Sequence, residues 1–206
     1  MKHQLTLLIL LYSIGISAQN WSVINKDLKI VDTLTYPTEI RIYKDRGITN
    51  YSSLFRMYED NAGNWTAEFY EHWSKIDGVA TLETKKSILT SKSDIEYVYF
   101  NLSRSYIFDL PSQNDIQWKL GKRGVIKKVE RMKRGKKTKE YEMLSKHVMP
   151  LDGTSYSFQV KNSYKSNEFE FGSPERYREL YPEIDEPKYV CELLEIIRNE
   201  FKIWTK

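Results

Sequence analysis

Val190, Leu193, Leu194, Ile197, Phe201 and Trp204 recur at i, i+3, i+4, i+7, i+11 and i+14 near the carboxyl end of this 206-residue chain. That spacing puts all six on one face of a helix. A helix of this length is marginal in water by itself, so the stripe requires an apolar surface to lie on. The preceding sequence supplies one. Short runs that alternate apolar and polar residues, separated by Gly, Pro, Asn and Asp, read as antiparallel strands. The 14% aromatic content, with fifteen Tyr and five Trp, suits half-buried strands. The predicted fold is α+β: a twisted antiparallel sheet of eight to ten strands, open or curled toward a partly open barrel. Helices at 94–105, 174–181 and 187–203 are expected to cover one face.

Asn61-Ala62-Gly63 fits a three-residue hairpin loop with Gly63 at the left-handed position. Pairing about it sets Phe55 against Phe69, Met57 against Ala67 and Arg56 against Glu68, so one register gathers the apolar residues and also matches a charge pair. Further strands are expected at 39–44, 79–88, 116–120 and 154–161, with Phe169 and Phe171 continuing after a polar turn. Residues 20–35 suit one strand or an ordered arm. A long hairpin, 125–133 with 136–144, turns at Arg134-Gly135 and sets Lys127 against Glu142 and Glu130 against Lys139. Pro150 to Gly153 reads as a tight turn. Ser93 and Glu96 form a capping box for the first helix. Ser173-Pro174 opens the second, and Asp185 or Glu186, followed by Pro187, opens the third.

At the amino end, Lys2 precedes the apolar stretch Leu5–Ile16, and Ser17-Ala18-Gln19 follows. This is the order of a secretory signal peptide. Cleavage is expected after Ala18, with Ser17 second, leaving residues 19–206 as a single domain. The apolar stretch is shorter than the about 20 residues a spanning helix needs. No transmembrane segment is expected in the mature chain, and the protein is placed in the periplasm or the medium. Cys191 is the only cysteine, so the exported fold has no internal disulfide and stands on its core.

The stretch Leu151-Asp152-Gly153-Thr154-Ser155-Tyr156-Ser157-Phe158-Gln159-Val160 leads into Ser173-Pro174-Glu175-Arg176-Tyr177. Tyr181-Pro182-Glu183-Ile184-Asp185-Glu186 and Glu200-Phe201-Lys202-Ile203-Trp204 follow. This order resembles small exported proteins of unknown function from Bacteroidetes. The resemblance implies a bacterial cell-envelope or secreted setting and brings no activity.

Charge is uneven. Residues 119–139 hold eleven Lys or Arg against Glu130 alone, in a chain of net charge +4, so the remainder is net acidic. The hairpin tip presents Arg131, Lys133, Arg134, Lys136, Lys137 and Lys139, a cluster suited to lipid phosphate, anionic polysaccharide or an acidic protein. The plainer explanation is a solubilising strand end. Nucleic acid is not expected, because no aromatic lies between Gly121 and Glu140 to stack a base. Glu68, Tyr70 and His72 share a strand face but lack a neighbouring nucleophile, and the scattered His and Cys lack metal-ligand spacing. No catalytic residue, metal or cofactor is assigned, and Cys191 reads as a small buried hydrophobe.

The function expected is that of a non-enzymatic binding or structural module of the envelope. One alternative is a carrier of a lipid or other apolar ligand under the C-terminal helix, lined by Trp65, Phe69, Trp73, Trp118 and Phe158. A hydrolase ranks last.

Overall fold

A computed structural model of the chain describes residues 21–45, 49–146 and 153–205. The expected leader, His147 and the turn residues 150–152 lie outside them. The described residues fall in two compact units, one ending at Thr33 and the other running from Leu34. In the first, Trp21–Asp27 is a helix, α1, where a strand or arm was expected. Ser22 Oγ and Asn25 Nδ2 both donate to the Asp32 carboxylate, at 2.7 and 3.0 Å, and tie the following turn back to it.

The described residues of the second unit form eight strands: β1 Thr38–Asp45, β2 Tyr51–Glu59, β3 Trp65–Trp73, β4 Glu83–Leu89, β5 Lys122–Lys133, β6 Lys136–Lys146, β7 Ser155–Lys161 and β8 Ser166–Gly172. They do not form one sheet of eight to ten. Six make an antiparallel sheet in the order β4-β3-β2-β1-β7-β8, and β5 and β6 pair only with each other. Among the described residues β4 and β8 are the edges of this sheet, so it is open and not a closed barrel. The polar edge strand β4, with Lys85 and Lys86, resists pairing with further chains.

The β2–β3 register is the expected one, with Phe55 opposite Phe69 and Arg56 opposite Glu68. The β5–β6 register likewise sets Lys127 against Glu142 and Glu130 against Lys139. Residues 116–120 are not a strand. Gln113–Ile116 is a 3-10 turn, and Lys119 and Leu120 bond back to Ile116 O. Ile116 and Leu120 are both buried. Four residues apart, they meet the core as one side of successive turns, which a five-residue alternating pattern does not distinguish from a strand.

Three helices follow or interrupt the strands: α2 Ile95–Arg104, α3 Pro174–Leu180 and α4 Asp185–Phe201. Asp94, not Ser93, caps α2, accepting from Glu96 N and Tyr97 N. Ser93 instead donates through N and Oγ to the Glu200 carboxylate, at 2.8 and 3.0 Å, clamping the start of α2 to the end of α4. Ser173 precedes α3 in a left-handed conformation and makes no side-chain cap bond.

The stripe Val190, Leu193, Leu194, Ile197 and Phe201 is buried in one core with Ile40, Ile42, Phe55, Met57, Phe158 and Val160 of the sheet. The helix ends at Phe201, where Lys202 turns left-handed. Trp204 therefore lies beyond the helix. Its indole N–H donates to Ser53 Oγ at 2.9 Å, and its ring meets Phe69 and Tyr156 edge-on. No helix among the described residues is long and apolar enough to cross a membrane.

Candidate functional site

Most described side chains of the β5–β6 ribbon are exposed. Arg134 and Gly135 both take positive φ, 50° and 76°, giving a two-residue turn of the kind whose twist matches the flanking strands. No described side chain from Gly124 to Leu144 is buried. Arg131, Lys133, Arg134, Lys136, Lys137 and Lys139 are all exposed, so the structure brings the six predicted cations together at one end. Arg131 pairs with Glu142 at 2.8 Å, Lys133 with Glu140 at 2.5 Å and Lys139 with Glu130 at 3.7 Å. Exposed pairs of this kind contribute about 0–1 kcal/mol, so an incoming anion competes with them easily.

The aromatic set is scattered. Phe158 is fully buried and stacks on Phe169 at 4.3 Å. Trp65 rests against Tyr99, Phe69 against Trp204 and Trp73 against Tyr51. Trp118 is 77% exposed and joins a different place, a cleft of about 610 Å³ beside the start of α4. Tyr106 and Tyr189, with ring centroids 4.8 Å apart, form its other aromatic wall. Tyr106, two residues past the end of α2, takes a left-handed φ of 60°, a position glycine usually fills. Lys119 pairs with Glu186 at the rim. Sequence reading missed Tyr106 and Tyr189, because three rings separated by up to 83 positions carry no common pattern.

Glu68 is committed elsewhere. On the sheet face opposite Ile40 and Phe55, Arg41 Nε and Arg56 Nε both donate to Glu39 Oε1, at 2.7 and 2.8 Å. Arg56 also lies 3.5 Å from Glu68, which takes Lys86 Nζ at 2.7 Å and the Tyr70 hydroxyl at 2.6 Å. Thr35 N and Tyr36 N donate to the other Glu39 oxygen, at 2.7 and 3.0 Å, fastening the segment before β1. Arg56 sits over the stacked rings of Tyr36 and Tyr58. Burial pushes the Glu39 carboxyl up, but the Tyr36 N–H and the two guanidiniums outweigh it and hold the pKa below the usual 4.5. Glu68 is lowered the same way, burial being outweighed by Lys86, Tyr70 and Arg56. This network satisfies its charges internally and reads as structural.

His72 Nδ1 lies 3.3 Å from Ser52 Oγ, each residue only 1% exposed. This hydroxyl–imidazole contact was not expected from sequence, and its burial gives substrate no approach. Cys191 is fully buried, and burial pushes its thiol up to about 11, well away from nucleophilic character. Comparison of the chain with protein-family models, with curated proteins and with solved structures finds no match.

Proposed function

We propose that this chain is an exported, non-enzymatic binding or structural module of the bacterial cell envelope, which engages an anionic envelope component through the β5–β6 ribbon. The observation that supports this most directly is the ribbon itself. Among the described residues it pairs with no other strand, and it holds six cationic side chains in solvent at one end. Each Lys or Arg beside an anionic surface contributes about 1 kcal/mol. Replacing Lys133, Arg134, Lys136 and Lys137 with Ser should therefore weaken retention on anionic vesicles or lipopolysaccharide by up to a thousandfold, about 4 kcal/mol. The thermal midpoint should stay unchanged, because none of the four is buried. Unchanged retention would remove this function.

A second reading rests on the cleft, whose exposed Trp118 ring and Tyr106–Tyr189 wall suit the apolar part of a small amphiphile. Mass spectrometry of the natively exported protein should then show a co-purifying molecule that a Trp118→Ala variant lacks. An identical profile for both would dismiss this reading.

A further inference from the structure

The two faces of the β5–β6 ribbon differ in a way that its linear charge does not show. Residues directly opposite in the register share a face. The odd-numbered face of β5 carries Lys127, Arg131, Lys133 and Lys136 against Glu140 and Glu142, the same net charge as the other face, with Arg131 paired to Glu142 and Lys133 to Glu140. Its exposed apolar side chains are Val125 and Leu144, at 58% and 46%. On the even-numbered face Ile126 sits opposite Met143, and Tyr141 and Met132 continue the row. These four are 70%, 69%, 76% and 65% exposed, in the order named. Lys128, Lys137 and Lys139 lie among them with Glu130 as the face's acid, and among the described residues no carboxylate pairs with Lys128 or Lys137.

We infer that this even-numbered face lies flat on an anionic lipid bilayer. Ile126, Met132, Tyr141 and Met143 enter the boundary between headgroups and acyl chains, Lys128, Lys137 and Lys139 sit among lipid phosphates, and Lys133 and Lys136 on the other face add only longer-range attraction. This rests on the anion-binding function proposed above and names its partner. A two-stranded hairpin is marginally stable alone in water, and a row of exposed apolar side chains rimmed by charge marks a contact surface. A polysaccharide would satisfy the lysines and leave Ile126 and Met143 in water. A second copy laid face to face would set lysine against lysine. An anionic bilayer takes both kinds of side chain at once. Ile126 and Met132 are about 20 Å apart at ~3.3 Å per residue, so the row fits a plane rather than a point.

Site-specific labelling tests this. Cys191 is buried, so a new surface cysteine can be labelled selectively. Met132→Cys and Lys127→Cys, on opposite faces, are each given an environment-sensitive fluorophore and mixed with phosphatidylglycerol-containing vesicles. The label at 132 should shift to the blue and be quenched by lipid-borne quencher, and the label at 127 should do neither. The double variant Ile126→Ser, Met143→Ser should partition to these vesicles about tenfold or more weakly, with binding to a soluble anionic polysaccharide unchanged. Equal responses at the two labels, or wild-type partitioning of the double variant, would overturn the bilayer seat. Wild-type protein that binds the polysaccharide but no vesicle would remove the bilayer and leave the anion-binding function standing. Binding to neither would remove both.

Discussion

Glu39→Ala is expected to lower folding stability by about 3–5 kcal/mol, the usual consequence of removing one partner from a buried ionic cluster. Glu39 is fully buried. Its carboxylate takes two guanidinium N–H groups and two backbone N–H groups, from Arg41, Arg56, Thr35 and Tyr36. Alanine leaves Arg41, itself 0% exposed, without that carboxylate and frees the segment before β1. Chemical denaturation of wild type and variant measures the difference, and a loss below about 1 kcal/mol would show that the cluster is not holding the fold. The same group sets an acid dependence. In the folded protein Glu39 and Glu68 titrate below the usual 4.5, so their stabilisation is complete above that value. It is lost as pH falls through the lower folded values. The thermal midpoint should drop on acidification below pH 4.5, and Glu39→Gln should flatten that drop. An equally steep profile in the Gln variant would assign the acid dependence to other groups.

Leu194→Ala should cost about 2–5 kcal/mol, from lost burial plus the cavity left behind. Leu194 is fully buried in the core that joins α4 to the sheet, where Phe201 and Phe55 meet with ring centroids 5.0 Å apart. Asn199→Ala, on the exposed side of the same helix, should change stability by less than about 0.5 kcal/mol. Equal effects at the two positions would mean that α4 is not seated on the sheet.

Both hairpin registers could be read from local sequence because a turn fixes the phase and a one-residue slip would reverse every side chain. Gly63 and Arg134-Gly135 marked the turns; in β2–β3 the pair Arg56–Glu68 selected the same alignment as the apolar residues, and in β5–β6 the turn set Lys127 against Glu142 and Glu130 against Lys139. The α2 cap was placed one residue early. Ser93 and Asp94 are adjacent cap-formers, and a contact to Glu200, 107 positions away, decides between them. The basic tip was visible as a run of residue types. The difference between its two faces depends on strand pairing and appears only once residues are placed opposite one another.

The sequence by itself determined the α+β class, the apolar face of the last helix and the phase of the β2–β3 and β5–β6 hairpins, because these follow from side-chain periodicity and turn residues within a short stretch. Only the tertiary structure decided that β5 and β6 leave the main sheet, that 116–120 coils, and that Tyr106, Trp118 and Tyr189 share a cleft. The reason is physical. Periodicity specifies which side of an element is apolar, whereas the partner that covers that side, or leaves it exposed, is chosen by the packing of segments far apart along the chain.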